Sequence, residues 1–460
     1  MKRVYIKTFG CQMNERDSEA VAARLRERGY EMARSETDAD VVLLNTCSVR
    51  DLAERKAIGK MDLLAYRKQR KPELVLGYMG CMAQSRGASL AGRQSAVNLV
   101  VGTQRFHRVP EYLDEIFARR GEATAPCRRD DDGPIVDVAE EPGSESTIKD
   151  HLLGTNGDRP VVGFVSVMQG CEMYCSFCIV PYTRGAERCR TIAEIAEEVR
   201  RLVDEGVKEV TLLGQIITNY GRKEIQKKNG KSAFVQLLEA VNEVNGLERI
   251  RFTAPHPKGF GDDLVQAYVD LPKLCEHAHL PVQSGSNRIL KSMNRGYTRE
   301  WYRRIVDKLR AAQPKIAITT DIIAGFPGET EQDHEETASL MREVQFDQAY
   351  IFKYSKRQDT PAADMPDQVS EREKERRNQA LLEILNTGMA CANQKLVGHT
   401  VEILVEGRSQ KGGRRMFGRT RGNRLVFIDG SERHKGELIP VRIERATTIT
   451  LYGDPAIHNL

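Results

Sequence analysis

The sequence lacks the features that mark several large classes of protein. Cysteine is scarce, at 10 of 460 residues, far below the roughly 8–10% of a disulfide-dense secreted domain. No run of about 18 apolar residues occurs, and no apolar segment of the length of a signal-peptide core follows the basic Lys2 and Arg3, so neither a membrane span nor a secretion signal is predicted. Neither sign of charge dominates, because the sequence contains 70 Lys and Arg residues and 65 Asp and Glu residues. We therefore expect a folded cytoplasmic protein with reduced thiols.

The length of 460 residues predicts about three domains of roughly 150 residues each. In residues 1–120, short apolar runs alternate with helical stretches, which predicts an α/β domain with a Rossmann-like parallel sheet. Residues 121–158 lack periodicity and predict a linker. Residues 159–396 repeat the strand–helix alternation and predict a partial (β/α)6 barrel. In residues 397–460, alternating apolar residues and glycine-rich turns predict a small antiparallel β domain.

Local signals locate several elements of the predicted barrel. Thr191 and Glu194 form a capping box at the start of a helix with one apolar face. A second box, Ser370 and Glu373, predicts the start of the last helix, which runs to about Lys395. Residues that carry chemistry are expected at the C-terminal ends of the barrel strands. The strands are predicted at Val161–Val167, Glu209–Leu213, Arg249–Phe252, His277–Val282, Ile316–Ile323 and Gln348–Phe352.

The clearest chemical motif is a C-x3-C-x2-C loop of Cys171, Cys175 and Cys178, directly after the first predicted barrel strand. At this cysteine frequency the spacing arises by chance about once in 200 such chains, which favours a functional explanation. A structural zinc site is the alternative, but it requires a fourth ligand, and Cys189 is too distant to assume. Three thiolates on a 4Fe-4S cluster leave one iron open to the amine and carboxylate of a small molecule.

Three further cysteines, Cys11, Cys47 and Cys81, each follow a predicted strand of the N-terminal domain. Because the carboxyl ends of parallel strands meet at one edge of a sheet, we expect these thiols to converge on one crevice. The spacing alone leaves two interpretations open, a second three-cysteine cluster or cysteines scattered in the core. The cysteines without such a setting are interpreted as structural: Cys127, Cys275 and Cys391.

Five segments of the chain match the motifs of one enzyme family: Thr8–Glu15, Asn45–Arg50, Gly80–Gln84, Cys171–Gly185 and Leu280–Ser286. On these segments the chain resembles the radical S-adenosylmethionine methylthiotransferases over essentially all of its length. The resemblance implies that S-adenosylmethionine (SAM) binds the open iron of the Cys171, Cys175 and Cys178 cluster. It also implies that Cys11, Cys47 and Cys81 hold a second 4Fe-4S cluster, and that the central domain has the radical SAM fold.

Residues beside the first two N-terminal cysteines distinguish the branches of this family. Gln12–Asn14 and Ser48–Arg50 resemble the branch that acts on N6-dimethylallyladenosine next to the tRNA anticodon. That resemblance implies insertion of a sulfur and a methyl group at C2 of the adenine. The implied partners are tRNA, an electron donor such as flavodoxin or ferredoxin, and a sulfur donor. Two alternatives stay open: threonylcarbamoyl-adenosine in tRNA as the substrate, and an iron–sulfur RNA-binding protein without turnover.

The resemblance also implies where SAM binds, at residues that end or follow predicted strands. Ordinary turn residues are the alternative interpretation. His256 is expected either to contact the cofactor or to pack, and Arg184 either to contact the cofactor or a phosphate or to form an ion pair. The expected SAM contacts are Gln215, Gln283, Asp321 and Gly325.

A basic stretch in the C-terminal domain resembles the RNA-binding TRAM domain that closes these enzymes. No acidic residue stands between Gly407 and Ile428, and contacts from cations to phosphates supply affinity but little sequence information. A solvated basic face is the alternative. Phe417 and Phe427 either stack on an unpaired base or fill the core. Arg424 belongs to the same stretch, whose expected RNA contacts are Arg408, Lys411, Arg414, Arg415, Arg419 and Arg421.

Overall fold

The computed structural model describes residues 1–48, 51–93, 95–121, 133–147, 149–151, 160–409 and 415–455. The chain divides into two compact units. The first unit comprises Met1–Thr155, Ser166–Tyr174 and Cys178–Arg190, and the second comprises Asn156–Val165, Cys175–Phe177 and Thr191–Leu460. Within the described ranges, no helix is both long and apolar enough to cross a membrane.

A parallel sheet forms the N-terminal part of the first unit, which confirms the expected α/β architecture. Its strands are β1 (Arg3–Phe9), β2 (Glu31–Met32), β3 (Val41–Thr46), β4 (Val75–Met79), β5 (Leu99–Val101) and β6 (Ile135–Asp137). They lie in the order β2-β1-β3-β4-β5-β6, and all neighbouring strands are parallel. The accompanying helices are α1 (Gln12–Glu27), α2 (Asp51–Lys68), α3 (Cys81–Arg86), α4 (Ala88–Arg93) and α5 (Val109–Gly121).

The central strands of this sheet are buried along their whole length. Every residue of β3 and β4 is buried, as their apolar runs predict for parallel strands that are covered on both faces. Along β3, Val41 and Leu43 belong to one hydrophobic cluster, while Val42 and Leu44 belong to another. Because successive side chains of a strand point to opposite faces, the two clusters lie on opposite sides of the sheet.

Strand β6 lies inside residues 121–158, the segment that the sequence predicts to be a linker. It pairs in parallel with β5, with Leu99 opposite Ile135 and Val101 opposite Asp137. An edge strand of three residues is too short to show periodicity, so the sequence gives no signal for it. The sheet therefore extends past residue 120. Parts of the predicted linker, including Cys127, lie outside the described residues.

The central part of the chain continues the alternation of strands and helices. Its strands are β7 (Val162–Ser166), β8 (Met168–Gln169), β9 (Arg188–Cys189), β10 (Glu209–Leu213), β11 (Arg249–Phe252), β12 (His277–His279), β13 (Ala317–Ala324) and β14 (Gln348–Lys353). Its helices are α6 (Val180–Arg184), α7 (Ile192–Asp204), α8 (Ala233–Asn242), α9 (Asp262–Asp270), α10 (Asn287–Ser292), α11 (Arg299–Ala312), α12 (Glu331–Val344), α13 (Pro361–Asp364) and α14 (Glu371–Gln394).

The predicted barrel strands are all present, but their pairing is interrupted once. Strands β7, β10 and β11 form one three-stranded sheet, and β12, β13 and β14 form a second. An isolated parallel bridge joins Ile250 of β11 to Leu274, which precedes β12. Strand β12 ends at His279 rather than at the predicted Val282, since Pro281 has no N–H to donate to a neighbouring strand. The result is a partial barrel of strand–helix repeats.

Both predicted helix starts are confirmed. The Thr191 side chain accepts the N–H of Glu194, and the Glu194 carboxylate accepts the N–H of Thr191 at 3.0 Å. At the start of α14, the Ser370 hydroxyl accepts the N–H of Glu373 at 3.3 Å, but the Glu373 carboxylate pairs with Arg376 and Arg377, so only half of the predicted box forms. These caps satisfy backbone donors that the first helical turn leaves unpaired.

Five strands at the C-terminus close into a barrel: β15 (Thr400–Arg408), β16 (Arg415–Thr420), β17 (Leu425–Asp429), β18 (Leu438–Ala446) and β19 (Thr450–Pro455). Their order is β15-β16-β17-β19-β18. The neighbours are antiparallel except β17 and β19, which are parallel. The predicted small β domain is therefore confirmed, with one parallel pair. Its core contains Ile403, Val405, Met416, Val426, Ile428, Val441, Ile443 and Leu451.

Backbone carbonyls of the C-terminal barrel bind two arginines of β11 in the same unit. Arg249 donates from Nη1 to the carbonyl of Arg419 at 2.7 Å. Arg251 donates to the carbonyls of Thr420 and Arg421, both at 2.8 Å. Both donors are buried. The turn between β16 and β17 is thus fixed to β11 through main-chain acceptors.

Candidate functional site

The three N-terminal cysteines follow three adjacent strands, β1, β3 and β4. Cys11 precedes the first residue of α1, Cys47 directly follows β3, and Cys81 is the first residue of α3. The N–H of Cys47 donates to the carbonyl of Phe9 at 2.9 Å, which extends the β1–β3 pairing to the cysteine itself. The expected convergence at one edge of the sheet therefore follows from strand order.

The thiols at this edge affect one another's ionisation. A hydrogen bond with Cys47 lowers the pKa of Cys11 to about 6 against the opposing effect of burial, and Asn14 and the charge of Arg184 act in the same direction. Burial raises the pKa of Cys81, while Arg184 opposes that rise. Cys11, Cys47, Cys81 and the Arg184 guanidinium therefore share one environment.

The donor set at this edge consists of sulfur alone. Iron–sulfur clusters take thiolate ligands, so three neighbouring cysteines fit such a group. In the part of the chain that the structure describes, no group of three or more His, Cys, Asp or Glu is arranged to hold a metal ion. The argument for a cluster therefore rests on the donor chemistry and on the shared strand edge.

A buried ion pair lies beside these thiols. Arg184 donates from Nη2 to Asp17 Oδ2 at 2.6 Å, and the two side chains are 3% and 0% exposed. Of the alternatives that the sequence leaves open for Arg184, the structure supports the ion pair. Burial raises the pKa of Asp17, and the charge of Arg184 opposes that rise. The pair places a compensated positive charge next to the cysteines.

Two asparagines hold the loops that carry Cys11 and Cys47. Asn14 donates to the Asn45 side chain at 2.9 Å, and Asn45 donates back to the Asn14 carbonyl at 2.8 Å. Gly80, before Cys81, has φ +98°, and a Cβ there would lie 2.3 Å from Asn45 Oδ1. These residues belong to the resembling segments, but their roles were not predicted. The available signal was Asn45, a polar residue that directly follows the apolar run Val41–Leu44 of strand β3.

The C-x3-C-x2-C motif lies in the loop between β8 and α6. Cys171 and Cys175 are buried, and Cys178 is half-buried. In the first unit, Cys171 donates its N–H to the carbonyl of Gly185 at 3.0 Å. Gly170 has φ +88°, and a Cβ at that position would lie 1.8 Å from the Ala186 carbonyl oxygen, so only glycine fits there. The local backbone therefore fixes the start of the motif.

In the second unit, a buried arginine donates directly to Cys175. Arg295 Nη1 lies 3.2 Å from Cys175 Sγ. Its Nε donates to the Tyr297 hydroxyl at 3.1 Å, and its Nη2 donates to the Pro281 carbonyl at 3.3 Å. No carboxylate of the described residues pairs with Arg295. Sequence reasoning missed this residue, because it lies 120 positions from the cysteine that it contacts.

The structure brings two of the expected SAM contacts together. Gln283 donates its N–H to the Asp321 carbonyl at 2.8 Å and has φ +70°. The Asp321 carboxylate accepts from His279 Nε2 at 3.3 Å. Gly325 directly follows β13, and its N–H donates to Glu329 Oε1 at 2.9 Å. These contacts fix the residues in place, and their binding to SAM stays a prediction.

Gln215, the fourth expected SAM contact, and His256 have contrasting settings. Gln215 is half-buried and follows β10 by two positions, on the other three-stranded sheet, and its cofactor contact also stays a prediction. His256 is buried, and its Nδ1 accepts the N–H of Lys258 at 3.3 Å. Burial lowers the pKa of His256 to about 3, and the charge of Arg295 adds to this effect. The structure thus shows His256 as a neutral, packed imidazole.

Two arginines of the basic stretch pair with carboxylates outside it. Arg421 Nε donates to Glu276 Oε2 at 2.6 Å, and Arg424 forms an ion pair with Asp347. At these two positions the structure therefore shows ion pairs rather than a solvated basic face. The sequence cannot show these pairs, because the acidic partners lie 145 and 77 positions away. An RNA contact by Arg421 stays a prediction.

The other cations of the stretch are more exposed. Arg419 pairs with Glu406 at 3.2 Å. Arg408 and Arg415 are exposed and form longer ion pairs of 3.8 and 3.6 Å. Phe417 and Phe427 are half-buried. Outside the described residues lie Lys411 and Arg414.

Three domain families match successive parts of the chain. Residues 3–102 match the Uncharacterized protein family UPF0004, residues 165–341 match the Radical SAM superfamily, and residues 394–456 match the TRAM domain. Together with the strand–helix repeats and the cysteine motif, these matches define a radical SAM enzyme that ends in a TRAM domain. A 4Fe-4S cluster and SAM are the cofactors that this class implies, and the three cysteines of the C-x3-C-x2-C motif, Cys171, Cys175 and Cys178, supply the sulfur ligands that such a cluster takes.

Relatives along the full length define the family more closely. A tRNA-2-methylthio-N(6)-dimethylallyladenosine synthase of Opitutus terrae is 54% identical over 473 residues, which cover 99% of this chain and 97% of the relative. Synthases with the same name from Methylacidiphilum infernorum and Akkermansia muciniphila are 52% and 51% identical and cover 100% and 99% of this chain, and 96% and 99% of their own lengths. The chain belongs to the family of tRNA-2-methylthio-N(6)-dimethylallyladenosine synthases.

Solved structures share the fold at much lower identity. The radical SAM methyltransferase TsrM from Kitasatospora setae has a TM-score of 0.56 and 15% identity, and the match covers 79% of this chain and 75% of that chain. The cobalamin-dependent radical enzyme OxsB has a TM-score of 0.52 and 14% identity, covering 84% of this chain and 56% of that chain. At these identities the likeness concerns the fold alone.

Proposed function

We propose that this protein inserts a sulfur and a methyl group at C2 of N6-dimethylallyladenosine next to the tRNA anticodon. The observation that carries the proposal is the group of three interacting thiols, Cys11, Cys47 and Cys81, in a chain whose full-length relatives are named as synthases of this modification. A thiol site in addition to the C-x3-C-x2-C motif is what sulfur insertion requires beyond radical formation.

Residues of the central domain hold and orient the radical cofactors. Cys171, Cys175 and Cys178 would hold a 4Fe-4S cluster, which together with SAM supplies the radical chemistry needed at an unactivated C–H bond. The hydrogen bond from Arg295 fixes the Cys175 sulfur. The residues proposed to position SAM are Gln215, Gln283, Asp321 and Gly325. Such placement of the reacting groups is the main contribution of the protein to the rate.

Residues of the N-terminal domain would hold a second 4Fe-4S cluster through Cys11, Cys47 and Cys81. Burial of Cys47 and Cys81 keeps water from these sulfurs. The Asn14 and Asn45 hydrogen bonds keep the cysteine-bearing loops at a fixed spacing. These residues would set the shape and the charge of the site, and a cluster bound there would supply the sulfur chemistry.

The proposal also assigns the domains and the partners. Residues 1–120 carry the second cluster, residues 159–396 form the radical SAM domain, and residues 397–460 bind RNA, with 121–158 as the connection. The partners are tRNA that already carries N6-dimethylallyladenosine, an electron donor such as flavodoxin or ferredoxin, and a sulfur donor. A cytoplasmic location agrees with reduced thiols and a tRNA substrate.

Single cysteine variants test the two thiol groups separately. Cys175→Ala is expected to abolish reductive cleavage of SAM, whereas Cys47→Ala is expected to retain cleavage but abolish methylthiolation. Both products are measured by mass spectrometry after anaerobic reconstitution with iron, sulfide and a chemical reductant. Cys391→Ala is the matched control, because Cys391 is exposed on α14 and should retain both activities.

The outcomes separate the proposal from its alternatives. Methylthiolation retained in Cys47→Ala would contradict the role of the N-terminal thiols. Wild-type protein that binds iron but cleaves no SAM would indicate an RNA-binding iron–sulfur protein instead. Anticodon stem-loops that carry dimethylallyladenosine or threonylcarbamoyl-adenosine are assayed side by side, and product from the second alone would contradict the proposed substrate.

A further inference from the structure

The C-terminal barrel has the strand order of a fold that commonly binds single-stranded nucleic acid. Counting its strands from one to five along the chain, the order is 1-2-3-5-4, and strands three and five, β17 and β19, are parallel. This is the arrangement of a five-stranded OB-fold barrel, which binds oligonucleotides on the face formed by its second and third strands. Here these strands are β16 and β17. The topology therefore points to the face formed by β16 and β17 as a binding surface.

That face carries a lateral row of three aromatic rings, which we name the aromatic row: Phe417, Phe427 and Tyr452. Phe417 is directly opposite Phe427, and Phe427 is directly opposite Tyr452. The ring centroids of Phe417 and Phe427 are 6.4 Å apart, and those of Phe427 and Tyr452 are 5.8 Å apart with an interplanar angle of 23°. The row crosses three adjacent strands.

The aromatic row faces outward. Met416, Val426 and Leu451, which precede the three rings along the chain, are buried in the barrel core. Because successive side chains alternate between faces, the rings point away from that core. They remain half-buried, and the barrel core is filled by aliphatic residues and Met416. Of the two interpretations that the sequence leaves open for Phe417 and Phe427, the structure supports a position on the outer surface of the barrel rather than in its core.

A free cation continues the row on the next strand. Arg445 is directly opposite Tyr452, and its guanidinium carbon lies 3.9 Å from the Tyr452 ring centroid. Within the described ranges, Arg445 has no carboxylate partner. At the other end of the row, Gly407 is opposite Phe417 and has no side chain to cover the ring. At the Phe417 end of the row the neighbouring strand therefore places no side chain over the ring, and at the Tyr452 end it places a cation.

Two cations of the basic stretch are less suited to anchor RNA. Arg421 and Arg424 are engaged with Glu276 and Asp347. Arg445 lies outside the basic stretch and was not singled out by the sequence. Stacking of bases on aromatic rings, with nearby arginine, is the common mode of binding for unpaired RNA.

We propose that unpaired bases of RNA stack on the aromatic row, with Arg445 next to the phosphate backbone. The identity of the RNA, the loop of a tRNA anticodon arm, rests on the proposed function. The stacking site itself rests on the outward rings, their register across three strands and the free arginine. Paired bases cannot insert into such a row without opening, so a duplex of the same length is expected to bind more weakly.

The test uses the full-length reconstituted protein without reductant, so that no turnover occurs. The probe is a synthetic anticodon stem-loop with 2-aminopurine at one unpaired position, and binding is followed by fluorescence anisotropy and by quenching of the probe. Phe427→Leu and Tyr452→Leu are each expected to weaken binding about tenfold and to reduce quenching, since stacking contributes about that much per base. Arg445→Gln is expected to lower the slope of log Kd against log salt by about 1.

Matched variants distinguish the loss of an aromatic ring from other effects of the substitutions. Phe427→Tyr and Tyr452→Phe retain the rings and should bind as the wild type does. Tyr66→Leu is the control, since Tyr66 is an exposed ring on α2 with Arg70 at 5.3 Å, and it should leave binding unchanged. Thermal unfolding of each variant reports whether its fold is intact.

Unchanged binding in the two leucine variants, or equal binding of a blunt RNA duplex, would overturn the aromatic row as the RNA site. The proposed function fails in a different way. Wild-type protein that binds the stem-loop through the row but yields no methylthiolated product would leave the row intact and contradict the activity.

Discussion

The two cysteine sites each contain a buried arginine, but only one of these arginines is neutralised. At the N-terminal site, Arg184 is paired with the buried Asp17 at 2.6 Å. At the central site, Arg295 donates to Cys175 and has no carboxylate partner in the described part of the chain. Arginine keeps its charge in proteins. The central site therefore retains the full positive charge of Arg295, whereas at the N-terminal site Asp17 offsets the charge of Arg184. The two sites are thus built for different electrostatic tasks.

This difference has a consequence for redox chemistry. A positive charge and an N–H···S hydrogen bond both stabilise the more negative, reduced form of an iron–sulfur cluster. The uncompensated Arg295 would therefore make a cluster held by Cys171, Cys175 and Cys178 easier to reduce. A second cluster held, as proposed, by Cys11, Cys47 and Cys81 would be affected less, because Asp17 offsets the charge of Arg184.

The largest expected effect comes from breaking the compensation at the N-terminal site. Asp17→Asn leaves the buried Arg184 without its counter-charge, which is expected to cost about 3–5 kcal/mol of the free energy of unfolding. The measurement is hydrogen exchange of the N-terminal sheet in the metal-free protein. The double variant Asp17→Leu/Arg184→Leu removes both charges and should recover most of the loss. Equal protection in Asp17→Asn and the wild type would show that Asp17 does not neutralise Arg184.

A smaller effect is expected when the charge is removed from the central site. Arg295→Leu should lower the reduction potential of the central cluster by up to about 60–130 mV, because a hydrogen bond to a charged group contributes roughly 1.5–3 kcal/mol and 59 mV corresponds to tenfold for a one-electron couple. Potentiometric titration followed by electron paramagnetic resonance measures the shift. Arg299→Leu is the control, since Arg299 pairs with Glu343 and contacts no cysteine. An unchanged reduction potential in Arg295→Leu would contradict the inferred electrostatic difference between the two sites.

The smallest effect concerns the group that orients Arg295. Tyr297 accepts a hydrogen bond from Arg295 Nε at 3.1 Å, and Tyr297→Phe deletes this acceptor. We expect a loss of about 1 kcal/mol in the free energy of unfolding and a shift of the central potential smaller than that of Arg295→Leu. Urea denaturation and the same potentiometric titration measure both quantities. A shift as large as that of Arg295→Leu would mean that orientation matters more than charge.

The sequence predicts the N-terminal site better than it predicts the surroundings of the central one. Cys11, Cys47 and Cys81 each follow a strand, and the rule that parallel strands end at one edge is enough to bring them together. Arg295 contacts a cysteine 120 positions away, and no local pattern encodes such a contact. The same reason explains why the partners of Arg421 and Arg424 were not predicted.

The fold shows a similar division between local and long-range information. Strands Glu209–Leu213 and Arg249–Phe252 have the predicted bounds, and the Thr191 capping box is present, because these features depend on neighbouring residues. The edge strand Ile135–Asp137 and the interruption between β11 and β12 depend on which strands find each other in space. Periodicity carries no information about such pairing.

The contacts between β11 and the β16–β17 turn mean that the C-terminal domain is not independent of the central strands. Buried Arg249 and Arg251 take their acceptors from the main chain of residues 419–421, so any sequence that keeps the turn geometry preserves them. A truncated chain without the C-terminal domain would leave both guanidinium groups without these acceptors. The C-terminal domain therefore cannot be exchanged or lost without rebuilding strand β11, whereas substitutions that keep the geometry of the β16–β17 turn preserve these main-chain contacts.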